Sequence, residues 1–225
     1  MSEFNKLVIF DCDGTLVDSQ HMIIGSMHDT FDKAGIERRS DQEVRSIVGL
    51  SLYEAISSLL PDENADVHAA LTNDYKQIFY ERRTQQGAGP DPLYEGTREA
   101  LIELNNAGYL LGVATGNSRR GLDRVLAEHG LADMFVTLQT ADGHPSKPHP
   151  SMIFTALAEA GSSPEHAVMI GDTSYDMMMS VHAGTGPIGV NWGYHSETDL
   201  SAAGATHIAS HYSEIPAFVR QVIGE

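Results

Sequence analysis

Four carboxylates in this sequence have spacings that suit chemistry on an anionic substrate. Asp11 and Asp13 lie two residues apart directly after a short apolar run, and Asp172 and Asp176 lie four residues apart after another. If the runs are strands and a helix follows the second, the first pair leans to one side of a strand end and the second pair shares a helix face. Carboxylates gathered in this way repel one another and need a cation. An all-oxygen donor set suits a hard ion, so the pattern predicts a Mg²⁺ site.

Two further segments carry groups that can bind a phosphate. Thr115-Gly116-Asn117 follows a third apolar run, and Lys147 lies in the loop after the next one. The Thr115 hydroxyl and the Gly116 and Asn117 amides can donate to equatorial phosphate oxygens. Lys147, together with Mg²⁺, can neutralise the repulsion between a carboxylate and a phosphate ester. These residues therefore predict phosphoryl-transfer chemistry.

The two aspartates of the first segment can divide the work of such a reaction. We expect Asp11 to attack phosphorus and to form a covalent intermediate. We expect Asp13 to protonate the leaving oxygen in the first step and to activate water in the second. One carboxylate is then the nucleophile, and the other is a proton carrier.

The elements that must position these groups follow from the apolar patterns. Short buried runs predict strands, with helical patterns between them. The predicted strands are 7–10, 109–114 and 167–170, with weaker candidates at 134–138 and 187–190; the predicted helices include 97–107, 118–129 and 151–160. This alternation favours an α/β fold with a doubly wound parallel sheet. Ligands bind beyond the carboxyl ends of such strands, which is where the four segments lie.

Residues 18 to about 86 interrupt this alternation. They show helical spacing but no convincing strand, and residues 86–92 read as a linker rich in Gly and Pro. We therefore predict a catalytic core formed by residues 1–17 and 88–225. Residues 18–87 form an inserted α-helical cap in this interpretation.

Composition narrows the classes of partner. Lys+Arg minus Asp+Glu is 14 − 31 = −17, and such a surface repels phosphate backbones, so no nucleic-acid partner is expected. The single cysteine, Cys12, allows no internal disulfide. The N-terminal residues lack a signal-peptide pattern, and no apolar stretch is long enough for a membrane span. We expect a soluble cytoplasmic protein that acts away from membranes.

The same segments resemble the four motifs of the haloacid dehalogenase (HAD) superfamily in order and spacing. Residues 11–19 resemble the first motif, Thr115-Gly116-Asn117 the second, Lys147-Pro148 the third and residues 171–176 the fourth. The resemblance covers nearly the whole chain and implies a Rossmann-like core. It also implies Mg²⁺ held by the Asp11 and Asp172 side chains and the Asp13 carbonyl, with Asp176 assisting. Members that cleave carbon–halogen bonds generally lack the second aspartate, so the presence of Asp13 excludes a dehalogenase.

The insertion resembles the cap of the phosphoglycolate phosphatase and β-phosphoglucomutase-like branch. That resemblance implies a phosphatase acting on a small phosphorylated metabolite, with phosphoglycolate as the leading substrate. It also makes Arg45, four residues before Gly49, a candidate substrate contact. A sugar phosphomutase, a pyrophosphatase and a non-catalytic binding protein stay open as alternatives. The sequence leaves the oligomeric state open between monomer and homodimer.

Overall fold

The computed structural model describes residues 4–85 and 89–224. Within these ranges the chain forms one parallel sheet of six strands. The strands are β1 (Asn5–Phe10), β2 (Leu110–Thr115), β3 (Phe135–Thr140), β4 (Ser162–Gly171), β5 (Gly186–Val190) and β6 (His207–Ala209). Their order across the sheet is β3-β2-β1-β4-β5-β6. The chain therefore turns in opposite directions from the centre, and a crevice opens at the carboxyl ends of β1, β2 and β4.

Ten α-helices accompany the sheet in the described part of the chain. They are α1 (Gln20–Ala34), α2 (Asp41–Ser46), α3 (Leu52–Leu59), α4 (Ala65–Thr84), α5 (Thr97–Asn106), α6 (Arg119–Glu128), α7 (Ser151–Ala160), α8 (Ser174–Ala183), α9 (Glu197–Ala202) and α10 (Ile215–Ile223). Short 3₁₀ turns at Ala132–Met134 and Tyr212–Glu214 complete the helical segments.

Both faces of the sheet are covered, because side chains along each strand alternate between them. On β1, Val8 and Phe10 pack with residues of α5, α6 and α10, whereas Leu7 and Ile9 pack with residues of α7 and α8. All four of these β1 side chains are fully buried. Burial on both faces explains why the strand reads as a continuous apolar run. The predicted doubly wound α/β fold is confirmed.

The helices α1 to α4 all lie between β1 and β2, and they have a core of their own. Buried residues from Ile24 to Tyr75 form an apolar cluster separate from the two clusters of the sheet. Phe31 and Ile56 in this cluster are fully buried. The first residues of the predicted linker, 86–88, lie outside the described residues, and so does the predicted boundary between 87 and 88. We propose that this separately packed segment is the cap expected from the sequence.

The five predicted strands are confirmed, and so are the helices predicted around 97–107, 118–129 and 151–160. The sequence interpretation missed β6. This strand has three residues and lies at the sheet edge, where only Ala209 is buried. Such a short, half-exposed segment leaves no apolar run to detect.

Candidate active site

The first aspartates lie in a tight turn at the end of β1. Asp11 is 1% exposed, and Gly14 closes the turn by donating its N–H to the Val17 carbonyl at 2.9 Å. Gly14 has a φ of 85°, and a Cβ added there would lie 2.3 Å from an oxygen of Asp172. Only glycine accepts both this conformation and this approach. The turn therefore brings the first and fourth predicted motifs into contact.

A buried lysine joins two of the carboxylates. The Lys147 Nζ lies 3.0 Å from Asp11 Oδ2 and donates to Asp176 Oδ1 at 2.6 Å. Burial by itself would lower the pKa of the Lys147 ammonium, but the charges of Asp11 and Asp176 raise it above its ordinary value. The side chain therefore stays charged beside the nucleophile candidate.

Asp172 and Asp176 occupy different local structures. Asp172 precedes α8 and accepts from the Thr15 hydroxyl at 2.8 Å and from the Tyr194 amide at 2.9 Å. Asp176 is in the first turn of α8, where it forms a capping box with Thr173. The prediction that the two aspartates share a helix face is therefore wrong. Thr173 is the N-cap, so the helix begins after Asp172. Asp172 lies directly after β4 and Asp176 lies in the first turn of α8, and the chain brings the two carboxylates together there.

Three carboxylates offer a site for a cation. Oxygens of Asp11, Asp172 and Asp176 lie within 4.8 Å of one another, and all three residues are buried. Asp11 Oδ2 is buried without a hydrogen-bond donor among the described residues, since its contact with Lys147 is an ion pair outside hydrogen-bond geometry. A divalent ion bound by oxygen donors would satisfy this atom and offset the repulsion. The residues present therefore fit a divalent metal ion.

The same burial shifts the protonation of the cluster. Desolvation, with repulsion from Asp176 and Asp13, raises the pKa of Asp11 from 3.8 to about 7, against the opposing effect of Lys147. Burial and the charge of Asp11 likewise raise the pKa of Asp172 well above its ordinary value. Without a cation, the folded protein therefore holds these carboxyls protonated at a pH where the unfolded chain has released their protons.

This difference predicts how pH and Mg²⁺ act together on stability. For the protein without metal, the free energy of unfolding should fall as pH rises from about 4 to about 7. The reason is that the unfolded state binds fewer protons than the folded state across that window. Mg²⁺ binds the ionised carboxylates, so saturating Mg²⁺ should raise Tm by roughly 5 °C or more at about pH 8 and far less at about pH 5. Differential scanning fluorimetry measures both shifts. Asp172→Asn should abolish the Mg²⁺ effect; equal shifts at both pH values would contradict the prediction.

Asp13 points into the crevice with both oxygens occupied by donors. The Ser19 hydroxyl donates to Oδ1 at 2.6 Å, and the Asn117 side-chain amide donates to Oδ2 at 3.1 Å. Asn117 thus links the first and second motifs. Its backbone N–H donates to the Thr115 hydroxyl oxygen at 3.1 Å, so this amide is engaged within the loop. The Thr115 hydroxyl keeps its own proton to donate to a ligand.

The crevice is part of a larger cavity of about 870 Å³. Asp11, Asp13 and the loop of Thr115 to Asn117 line one end of it. Apolar and aromatic side chains of α1, α3 and α4 line the opposite wall, including Met27, Tyr75 and Phe79. The site is therefore enclosed jointly by the sheet and by the helical segment.

The loop between α2 and α3 lies against the sheet side of the crevice. A Cβ added at Gly116 would lie 2.5 Å from the carbonyl oxygens of both Gly49 and Leu50. The Ser51 amide donates to the Ser146 hydroxyl at 2.8 Å, and the Tyr175 hydroxyl donates to the Ser46 carbonyl at 3.0 Å. These contacts hold the helical segment closed over the crevice.

Gly116→Ala should therefore prevent this close approach. The methyl group would push the Gly49–Leu50 loop outward, and we expect kcat/KM to fall by roughly a hundredfold because displacement of about an ångström disturbs a reacting geometry this strongly. Steady-state kinetics on a small phosphate ester measures the loss. Gly143→Ala is the matched control, since a Cβ there meets nothing within 4 Å. Equal activity of the two variants would show that the contact does not matter for turnover.

Arg45 differs in placement from the other predicted residues. It lies on α2 with its guanidinium donating to the Gln20 side chain, and it is not among the described residues that line the cavity. Its substrate contact stays a prediction. Sequence reasoning also missed Thr15, Ser19 and Thr173, whose hydroxyls donate to Asp172, Asp13 and Asp176 respectively. The capping-box spacing of Thr173 and Asp176 is a signal that could have found Thr173. Thr15 has no such signal, because it donates to Asp172 in a distant segment.

The family is shown by direct comparison. A model of the haloacid dehalogenase-like hydrolase family matches residues 8–190. The chain belongs to this family, which confirms the predicted resemblance. The order of the four motifs and the parallel sheet described above agree with this assignment.

Curated relatives match over nearly their whole length. The probable phosphatase IndB of Dickeya dadantii is 34% identical over 213 residues, covering 93% of this chain and 91% of that protein. The pyrophosphatase PpaX of Bacillus velezensis is 31% identical, with 92% and 93% covered. A phosphoglycolate phosphatase of Vibrio parahaemolyticus is 27% identical, with 93% and 94% covered. These relatives confirm the prediction of an enzyme of the phosphatase type.

The fold is also found among solved structures. A putative haloacid dehalogenase-like hydrolase from Bacteroides fragilis superposes with a TM-score of 0.86 at 23% identity, covering 94% of this chain and 99% of that one. This likeness confirms the fold class.

Among the described helices, none combines the length and the apolar character that a membrane span requires.

Proposed function

We propose that this chain is a Mg²⁺-dependent phosphatase that hydrolyses a phosphomonoester of a small metabolite through an aspartyl-phosphate on Asp11. The observation that carries the proposal is the arrangement around Asp11. Its buried carboxylate contacts the Lys147 ammonium at 3.0 Å and shares a compact acidic cluster with Asp172 and Asp176. A nucleophilic carboxylate beside a fixed cation and a metal site is what attack on a phosphate ester requires.

The side chains of Asp11, Asp172 and Asp176 would hold Mg²⁺, and the family resemblance adds the Asp13 carbonyl. When bound, the ion supplies positive charge against the phosphoryl oxygens and the clustered carboxylates. Lys147 adds a second positive charge through its contacts with Asp11 and Asp176. The Thr115 hydroxyl donates to a phosphoryl oxygen and helps to orient the ester.

In the first step, a carboxylate oxygen of Asp11 forms a bond to phosphorus while the bond from phosphorus to the ester oxygen breaks. Asp13 gives its proton to the departing oxygen, and the alcohol leaves. In the second step, Asp13 takes a proton from water, whose oxygen attacks the phosphorus of the aspartyl-phosphate. The bond from phosphorus to Asp11 breaks and phosphate leaves. Ser19 and Asn117 hold Asp13 in place for both transfers.

The helical segment of residues 18–87 acts as the cap in this proposal. Closure over the crevice excludes water before the phosphoenzyme forms and gathers the leaving group against the aromatic wall. Opening then admits water and releases the products. The single cysteine, Cys12, is buried, which is compatible with the cytoplasmic location that the sequence predicts. The oligomeric state stays open between monomer and homodimer.

Phosphoglycolate is the leading substrate from the resemblance, and the PpaX relative makes pyrophosphate a second candidate. A panel of phosphorylated metabolites, assayed for phosphate release with and without Mg²⁺ and chelator, tests the proposal. We expect Mg²⁺-dependent release from at least one ester. Isomer formation without free phosphate would identify a phosphomutase instead. No turnover of any ester, with phosphate analogues still bound, would identify a non-catalytic binding protein.

A further inference from the structure

Three arginines line the same cavity as Asp11 and Asp13. Arg83 comes from the end of α4, and Arg120 and Arg124 come from one face of α6. We call Arg83, Arg120 and Arg124 the arginine cluster. The chain has a net charge of −17, so three guanidinium groups around one cavity are a local departure from its overall charge.

The arginine cluster has unused hydrogen-bond donors. The Arg83 side chain is 7% exposed; it pairs with Asp91 and donates through Nη1 to the Gly89 carbonyl at 3.2 Å. Its Nε has no acceptor among the described residues, and neither has the Nε of Arg124. Glu128 lies 3.7 Å from Arg124 Nε, beyond hydrogen-bond distance. Buried donors left without acceptors are costly unless a ligand satisfies them.

Aromatic side chains of α4 hold these guanidinium groups together. The Phe79 ring lies 5.5 Å from the Arg83 guanidinium carbon and 5.7 Å from that of Arg124. The Tyr80 ring lies 5.0 Å from that of Arg120. Two aromatic rings of the helical segment thus gather cations from both sides of the cavity. Arg83 is the buried member of the cluster, Arg124 is partly buried, and Arg120 and Tyr80 lie at the exposed rim of the cavity.

The charges of the cluster are only partly balanced. Burial lowers the pKa of Arg83, and the like charge of Arg124 lowers it further. The carboxylates of Asp91 and Glu128, and that of Asp13, offset part of this charge. Arg120, however, has no ion-pair partner in the described part of the chain, although it lines the cavity. An anion placed among the three guanidinium groups would relieve their repulsion and accept from the unused donors.

The cluster is separated from the phosphate-binding loop along α6. Ser118 caps this helix directly after Asn117, and Arg124 follows six residues later. At about 1.5 Å of rise per residue, the Arg124 backbone lies roughly 9 Å along the helix axis from Ser118. The cavity of about 870 Å³ spans this distance. It is of the size that encloses ligands far larger than a two-carbon phosphate ester.

We propose that the natural substrate is an extended phosphomonoester whose leaving group carries a second anionic group, a carboxylate or a phosphate, bound by Arg83, Arg120 and Arg124. This inference rests on the proposed phosphatase function and deepens it. It also disfavours phosphoglycolate, whose carboxylate is separated from the phosphorus by only one oxygen and one methylene group. Such a molecule cannot occupy both ends of the cavity.

Matched esters test this proposal. Hexyl phosphate and its analogue with a terminal carboxylate differ only in the distal charge, and kcat/KM for each is measured with the Mg²⁺-loaded enzyme. We expect the carboxylate ester to be preferred by roughly tenfold to a hundredfold, because charge-assisted hydrogen bonds contribute on this scale. Phosphoglycolate and pyrophosphate should be poorer substrates than the carboxylate ester.

Substitutions in the arginine cluster then identify which arginines bind the second anionic group. Arg124→Gln and Arg120→Gln should each lower the preference for the carboxylate ester, expressed as the ratio of the two kcat/KM values, by about tenfold. Arg119→Gln is the matched control, because Arg119 lies on the same helix, pairs with Asp123 and does not line the cavity. Arg83→Lys keeps a charge beside Asp91 and should lower the ratio without unfolding the protein.

Each outcome has a distinct meaning. An unchanged ratio in the folded Arg120 and Arg124 variants, or a wild-type preference for hexyl phosphate or phosphoglycolate, would overturn the second-anion proposal. Either result would leave the phosphatase function in place as long as hexyl phosphate is hydrolysed. Failure of the wild-type enzyme to release phosphate from any ester would instead overturn the proposed function itself.

Discussion

Asp11→Asn is expected to lower kcat by about four orders of magnitude or more while the protein stays folded. An amide oxygen is a poor nucleophile, so no aspartyl-phosphate forms. The fold should persist because asparagine has nearly the same shape and because Lys147 keeps its hydrogen bond to Asp176 at 2.6 Å. The substitution also removes a buried charge whose desolvation is unfavourable. Phosphate release from a chromogenic ester measures the loss, and circular dichroism checks the fold.

Asp123→Asn is the control for this experiment, because Asp123 is exposed and pairs with Arg119 on α6. It should retain wild-type kcat. Trapping with acid and mass spectrometry should find phosphate on the peptide containing Asp11 in the wild-type enzyme and not in the Asp11 variant. Retention of more than about one-hundredth of kcat by the folded variant would end the nucleophile assignment.

Asp13→Asn is expected to separate the two chemical steps. Loss of a general acid and base typically costs about two to four orders of magnitude in rate. With p-nitrophenyl phosphate, the leaving group needs little protonation, so the first step should be less affected than the second. The aspartyl-phosphate should then accumulate, giving a burst of p-nitrophenol close to the enzyme concentration. Stopped-flow absorbance at the nitrophenolate band measures this burst.

The control for Asp13 is a second acid from the same cavity. Asp142 also lines the cavity, but its carboxylate accepts from the Arg119 amide at 2.7 Å and faces solvent. Asp142→Asn should show neither the rate loss nor the burst. The Asp13 variant could instead show no burst and an equal loss of kcat for p-nitrophenyl and alkyl esters. That result would show that Asp13 positions other groups and does not transfer protons.

The charge distribution explains how so acidic a chain can bind an anionic substrate. Long-range repulsion from a net charge of −17 is opposed at short range by Lys147 and by the arginine cluster. Lys147 contacts the proposed nucleophile Asp11 from behind the cavity lining, and Arg83, Arg120 and Arg124 line the cavity themselves. Positive charge both beside Asp11 and at the arginine cluster favours a substrate with two anionic groups.

Much of the fold followed from local patterns. Residues 7–10 of β1 and 167–170 of β4 are buried on both faces, so each segment is a continuous apolar run that is easy to recognise. The helices α5, α6 and α7 carry apolar positions at helical spacing and end near glycine. The four chemical segments could be predicted to converge because each follows a strand of one parallel sheet. That inference needs only the rule that ligands bind beyond the carboxyl ends of parallel strands, and it needs no side-chain geometry.

The sequence by itself therefore determined the α/β core, the family and the residues that gather at the sheet edge. Only the tertiary structure decided that Asp172 precedes α8, that Thr15 and Ser19 orient the carboxylates, and that Arg83 meets Arg124 across Phe79. The physical reason is the range of the interactions. Burial and helical periodicity act between neighbours in the chain and leave a repeating pattern. Contacts across the cavity join residues far apart in sequence, and their side chains carry no periodic signal.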